Sequence, residues 1–256
     1  MTHDHDTPHD KYVRILNDRE PPMKGAARNP NVRPKAAATL IIVDRTGLAP
    51  KLLMGRRNKA VKFLPGKFVF PGGGIEPGDA RMPAAGALPT HVETRLLKHR
   101  PGGTSQRARA IALAGIRETF EETGFMIGAR DFGTPDNAPA GTWSEFAAQG
   151  VYPLLEELHL IGRAITPPGR IRRYDAAFFA IDAAHIVGQV DRKIGPDSEL
   201  VELAWVGLVE AMNLELPLIT KIILHELEDR LAADMRPYKP VPFYAQLHGK
   251  WHRREL

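Results

Sequence analysis

Apolar residues recur along this chain with two periods, and the switches between them mark out its elements. From Lys35 to Val43 the residues are small, apolar and β-branched, which predicts a buried strand. Lys51 to Arg57 predicts a second strand closed by a basic cluster, and Phe68 to Phe70 a third that leads into Pro71-Gly72-Gly73-Gly74. Over Ala108 to Glu122 the pattern turns helical. The stretch is alanine-rich, with Ile111, Leu113, Ala114 and Phe120 available for packing, Thr104 or Ser105 as N-cap and Gly124 as the stop. Short helices are expected near His91 to Lys98 and Trp143 to Gln149. His159 to Thr166, Tyr174 to Ile181 and Glu199 to Val206 predict further strands, with Pro167-Pro168-Gly169 as a turn after the first. Apolar residues at 216, 219, 223 and 227 make a helix seam within Leu216 to Leu231. Strands interleaved with helices predict an α/β fold, an α/β/α sandwich on a mixed sheet.

The ends lack such a pattern. Residues 1–30 are polar, with Pro8, Pro21, Pro22 and Pro30 among charges, and read as a flexible tail. Residues 237–256 read as an irregular C-terminal extension, which leaves 31–236 as one domain. Within it, residues from about 80 to 103 carry Pro83, Gly86, Pro89, Pro101, Gly102 and Gly103 and are expected to bulge out as a surface insertion.

Composition narrows the function classes. A chain of 256 residues with 43% hydrophobic and 25% charged residues can build a substantial core. It has no cysteine, which excludes disulfides, thiolate metal sites and cysteine nucleophiles. Its longest apolar runs are too short to span a bilayer and its N-terminus has no apolar signal core, so a cytoplasmic, membrane-free protein is expected. The formal net charge is +5 and the pI about 9.5. Basic residues are spread out without a basic-aromatic repeat, which favours a small polyanionic partner over nucleic acid.

The chemistry concentrates in Arg117-Glu118-Thr119-Phe120-Glu121-Glu122-Thr123-Gly124-Phe125. Glu118, Glu121 and Glu122 project from one helix face, where like charges repel. A hard divalent cation with oxygen ligands would reward keeping them together. Alone, the run is equally consistent with a solvated acidic face. Upstream, Gly72-Gly73-Gly74 permit positive φ and close backbone approach to a ligand.

Together the two segments resemble the Nudix box, G-x5-E-x7-R-E-U-x-E-E-x-G-U, where U is bulky and apolar. Gly73 matches the first glycine, and Arg117, Glu118, Glu121, Glu122, Gly124 and Phe125 match the second half. Asp79 stands where the first glutamate belongs, Thr119 replaces an apolar residue, and the spacer 80–116 is far longer than the pattern. The resemblance implies a Nudix-type α/β/α sandwich with an insertion between the glycine loop and the Nudix helix. It implies Mg2+ or Mn2+ held by Glu118 and Glu122, with Glu121 as a third ligand or water holder and the Gly72 carbonyl completing the site. Arg117 would orient Glu121, and Asp79 would take a supporting role. A homodimer is possible by the same resemblance.

Just before the box, the spacing is similar to a coenzyme A pattern found beside some Nudix boxes. Arg57 falls at its first arginine, Lys62 at its second and Gly66 at its glycine, ahead of Phe70-Pro71-Gly72-Gly73. Ile165-Thr166-Pro167 and Arg172-Arg173-Tyr174-Asp175 through Phe179 also resemble elements of an acyl-CoA diphosphatase branch that carries a long insertion in the box. The resemblance therefore implies a nucleotide diphosphatase acting on CoA or acyl-CoA. Arg57, Lys62, Gly66, Gly73, Arg172 and Arg173 are its expected substrate contacts, Arg57 and Lys62 at the extra phosphate. The alternatives are an ADP-ribose or nucleotide-sugar diphosphatase, and a non-catalytic nucleotide-binding regulatory module, which would not need all three glutamates.

Overall fold

The computed structural model describes residues 8–20, 32–61, 64–192 and 194–256. In chain order its first half runs α1 (Pro8–Arg19), β1 (Lys35–Asp44), β2 (Lys51–Arg57), β3 (Phe68–Val69), β4 (Gly72–Gly74), a 3-10 turn (Asp79–Arg81), α2 (Thr90–Leu97), α3 (Ser105–Thr123), β5 (Phe125–Ala129) and α4 (Thr142–Ala148). The second half runs β6 (Tyr152–Pro153), β7 (His159–Ile165), β8 (Tyr174–Asp182), β9 (Ile186–Gln189), β10 (Leu200–Gly207), α5 (Leu208–Asn213), α6 (Leu218–Leu231), β11 (Pro242–Leu247) and β12 (Lys250–Glu255).

The main sheet has the order β10-β2-β1-β8-β7-β11-β12, with β3 on β2 and β4 on β1. β1 runs parallel to β8 and β7 parallel to β11, while the other pairs are antiparallel, so the sheet is mixed. The alternation of β1 sets the layers. Ala38, Leu40 and Ile42 pack with Ile111, Ile116 and Phe120 of α3. Ile41 and Val43 pack on the other face with Ile223, Leu224 and Leu227 of α6. Both faces of the strand are covered, as its continuous apolar run predicts, and the α/β/α sandwich is the observed architecture.

Three expectations are corrected. The segment after Asp79 does not bulge outward. Met82, Val92 and Leu96 are buried in the same layer as α3, because the apolar side of α2 finds α3 and β7 to pack against. Residues 8–19 form a helix where a polar tail was expected. Leu16 is fully buried, an effect of about 1.5–3 kcal/mol, and Asn17 brackets Trp251 by accepting from its amide at 2.8 Å. The segment after Arg236 is also ordered. β11 and β12 extend the sheet edge, burying Phe243, Tyr244 and Trp251. None of the described helices is long and apolar enough to cross a membrane.

Candidate active site

α3 carries the acidic run, and its ends are built as its sequence dictates. Thr104 caps the N-terminus, its hydroxyl accepting from the Arg107 amide at 3.2 Å. Gly124 ends it at φ 77°, a left-handed conformation that costs glycine little. Thr119 stands where the motif has an apolar residue and is fully buried. It satisfies its hydroxyl within the helix by donating to the Gly115 carbonyl at 2.8 Å.

Arg117, 2% exposed, clamps this helix to the glycine strand. Its Nη2 donates to the Gly74 carbonyl at 2.7 Å and its Nε to Asp79 Oδ1 at 2.9 Å. Its Nη1 donates to Glu121 Oε2 at 2.9 Å and lies 3.0 Å from Glu118 Oε1. Burial alone would lower the guanidinium pKa, but the hydrogen bond and charge of Asp79, with Glu118 and Glu121, outweigh it and raise it. Asp79 is fully buried and also accepts from the Glu76 amide at 2.7 Å and the Trp143 indole at 3.0 Å. Three donors on one carboxylate compensate its removal from water. The supporting role expected of Asp79 is thus a buried ion pair with Arg117.

β4 brings the glycines against the acids. Ala37, Ala38 and Thr39 of β1 pair with Gly74, Gly73 and Gly72. The glycines therefore continue a short strand, and none of the three has positive φ. What they provide is close approach. A Cβ on Gly73 would stand 2.4 Å from the Glu118 carboxylate, and one on Gly72 would stand 2.4 Å from the Ala38 carbonyl oxygen.

A cleft of about 370 Å³ opens here. Glu118, Glu122 and Glu199 line it with Gly72, Gly73 and Arg57. Burial pushes the Glu118 carboxyl up to about 7, with Arg117 opposing and Glu121 adding to the rise. Burial pushes Glu122 up to about 8, reinforced by Glu199 and Glu118, while Arg57 and the Gly72 amide pull it down. One Glu122 oxygen, Oε2, is buried with no hydrogen-bond partner among the described residues. Glu199 pairs with Arg57 at 2.7 Å. Its position is fixed by Asn58, whose amide nitrogen Nδ2 donates to the Ser198 carbonyl at 3.1 Å and whose backbone amide donates to the Glu199 carbonyl at 2.9 Å.

An oxygen-only, anionic donor set with an orphaned carboxylate oxygen fits a hard divalent cation. Among the described residues no group of three or more His, Cys, Asp or Glu stands close enough to enclose an ion unaided. Substrate oxygens and water would have to complete such a shell, as magnesium sites commonly allow.

The expected contacts separate into those at the cleft and those elsewhere. Glu118, Glu122, Gly72, Gly73, Arg57 and Arg172 line it. Glu121 does not, since one oxygen accepts from Arg117 and the other from the Thr142 hydroxyl at 2.5 Å. Arg173 is drawn away, donating to the Thr166 carbonyl at 3.0 Å and the Val32 carbonyl at 2.9 Å. Gly66, at φ 70°, turns the chain beside Lys59. Lys62 lies outside the described residues. Tyr174 and Phe178, from the segment that resembles the acyl-CoA branch, also line the cleft, as does Thr220, which no local pattern marks. Only folding brings their strands and helix to the glycine strand.

No family model matches the chain, and no curated protein matches it. Solved structures do. A Nudix hydrolase from Alicyclobacillus acidocaldarius is 24% identical with a TM-score of 0.58, the match covering 76% of this chain and 91% of that one. A mutator MutT protein from Bacillus halodurans is 14% identical with a TM-score of 0.45, covering 86% and 97%. The first likeness establishes a Nudix fold, and the second is too distant to add to it.

Proposed function

We propose that this chain hydrolyses a diphosphate linkage in a nucleotide with the help of Mg2+ or Mn2+, and that its substrate is CoA or an acyl-CoA. What carries the reading is the convergence of Glu118, Glu122 and Glu199 on the Gly72–Gly73 backbone in one cleft, with a buried oxygen of Glu122 left unpartnered.

Diphosphates resist water because their charge repels nucleophiles, so a catalyst must neutralise that charge and activate the water. A bound divalent cation supplies positive charge against phosphate oxygens and lowers the pKa of water. The protein's part is placement. Glu118 and Glu122 would hold the cation, with the carbonyl of Gly72, which lines the same cleft, as the further oxygen ligand. Arg117 and Asp79 fix α3 against β4, so that the carboxylates are set before substrate arrives. Glu121, fastened to Arg117 and Thr142, holds Arg117 in place and meets the cleft only through it. An intact acidic set in a cleft favours catalysis over a purely regulatory module.

Two observations support a CoA-like substrate. Beside the cleft, Arg56, Arg57, Asn58, Lys59 and Gly66 line a basic pocket of about 330 Å³, where the partial coenzyme A pattern places its residues. Phe70, Phe178, Pro217 and Ile219 give the cleft an apolar wall suited to a pantetheine or acyl chain.

The test is a panel of CoA, acyl-CoA, ADP-ribose and NADH with magnesium. CoA or acyl-CoA is expected to be cleaved to 3′,5′-ADP and a phosphopantetheine product. Glu118→Gln and Glu122→Gln are each expected to fold normally and lose about 100-fold or more in kcat. Wild-type turnover in both variants would overturn the site. A large preference for ADP-ribose would overturn the substrate.

A further inference from the structure

Pro217, Ile219 and Thr220 also line the cleft, so the start of α6 faces the same opening as the carboxylates. That helix start is not closed by its own chain. Pro217 at the cap position offers no side-chain acceptor, and no acidic residue occupies the first turn. The first amide to bond back is that of Lys221, to the Pro217 carbonyl at 3.2 Å. The amides of Leu218, Ile219 and Thr220 precede it and have no partner among the described residues. Such an end carries partial positive charge and outward N–H donors.

Thr220 is the independent sign of a ligand. It is 8% exposed, yet its hydroxyl makes no hydrogen bond among the described residues. The buried threonines of α3 behave otherwise, Thr119 donating to the Gly115 carbonyl at 2.8 Å and Thr123 to the Thr119 carbonyl at 2.6 Å. The Thr220 oxygen is not among the fully buried unpartnered atoms, so the hydroxyl of this largely buried residue reaches the opening of the cleft, where it is free to bond a ligand oxygen. Arg172 lines the same cleft and is exposed.

We propose that the N-terminus of α6, with the Thr220 hydroxyl and Arg172, is a second anion subsite that takes a phosphate monoester carried on the ribose of the substrate. The inference rests on the nucleotide diphosphatase reading above. It also relocates the extra phosphate from the expected Arg57 and Lys62. Arg57 is paired with Glu199 beside Glu122, and Lys62 lies outside the described residues. The cleft then divides by charge. Its carboxylates take the diphosphate with a cation, and the start of α6 takes a separate dianion on amide and hydroxyl donors, as helix N-termini commonly do.

The experiment compares CoA with dephospho-CoA, which has a free 3′-hydroxyl, using the full chain with magnesium. Binding of 3′,5′-ADP against 5′-AMP is measured alongside by calorimetry, without turnover. Wild type is expected to favour CoA by at least about tenfold in kcat/KM, and 3′,5′-ADP by a similar factor in Kd. Thr220→Val is expected to cut both preferences about tenfold, Thr220→Ser to keep them, and Arg172→Gln to reduce them. Equal use of CoA and dephospho-CoA by wild type would overturn the subsite while leaving the diphosphatase standing. An equal loss on both substrates in Thr220→Val would overturn it too, by showing a merely structural role. If Lys59→Gln in the basic pocket abolished the preference while the Thr220 variants kept it, the phosphate would sit there instead. If neither CoA nor dephospho-CoA were cleaved, the CoA reading would fall. The subsite would then survive only on a Thr220-dependent preference for 3′,5′-ADP in binding, and equal binding would end it.

Discussion

At the scale of the residue, the site depends on a charge that no substrate touches. Arg117 is buried, and Asp79, fully buried beneath it, is the partner that makes this tolerable. Removing one member of a buried ion pair strands the other, which is worse than never having had the pair. Asp79→Ala is therefore expected to cost about 3–5 kcal/mol in chemical denaturation. It should also lower the activity of the protein still folded, since the clamp that sets Glu118 and Glu122 against β4 is loosened although Asp79 itself does not line the cleft. A loss below about 1 kcal/mol would mean that Arg117 finds other partners and that the clamp is not structural. The motif spacing locates Asp79 but carries no sign of its depth. Its third donor, the Trp143 indole, arrives on α4, far along the chain. Thr142, which occupies the second oxygen of Glu121, is illegible in the sequence for the same reason. Helix spacing groups Glu121 with the other glutamates because it cannot show a neighbour from another element.

At the scale of the element, β4 shows how one strand separates stability from chemistry. Gly72 and Gly73 are adjacent, and each would bring a new Cβ to 2.4 Å from an oxygen. For Gly72 the obstacle is the Ala38 carbonyl, backbone of the central strand β1, which cannot give way. Gly72→Ala is expected to destabilise by about 1–3 kcal/mol through overpacking. For Gly73 the obstacle is the Glu118 carboxylate, the far end of a flexible side chain, which can swing aside. Gly73→Ala should melt within a few degrees of wild type and lose most turnover and magnesium affinity. Equal melting losses in both variants would refute the distinction. Elements whose signal is self-contained are legible in the sequence alone. β1 has its apolar run, α3 its cap, stop and periodicity, and β8 its run of alanine, phenylalanine and isoleucine. β4 reads locally as a flexible glycine loop, because its reason for being glycine lies across the sheet in Ala38 and across the cleft in Glu118.

At the scale of the whole molecule, the chain ends close the sandwich, and their order has no local signature because each end supplies the other's packing: α1 lies against β12, with Asn17 and Trp251 joined by hydrogen bonds across nearly the full chain. Within that closed body the cleft carboxylates couple folding to protons and cations. Burial raises Glu118 to about 7 and Glu122 to about 8 from an ordinary value of 4.5. Above pH 4.5 the unfolded chain releases these protons first, while the folded protein keeps them until pH passes the raised values. The folded state then binds more protons than the unfolded one, so stability falls as pH rises through that window. Below pH 4.5 both states are protonated and the effect vanishes. A divalent cation reverses the trend, because it binds the deprotonated carboxylates of the folded state and little else. Protein stripped of metal by a chelator should therefore lose Tm between about pH 5 and pH 8, relative to Glu122→Gln, which flattens the slope. Excess magnesium should restore Tm in wild type, most at the alkaline end, and do little for the variant. If stripped wild type and Glu122→Gln traced the same pH profile, or magnesium stabilised both alike, the buried carboxylates would not be the groups that couple this fold to its cation.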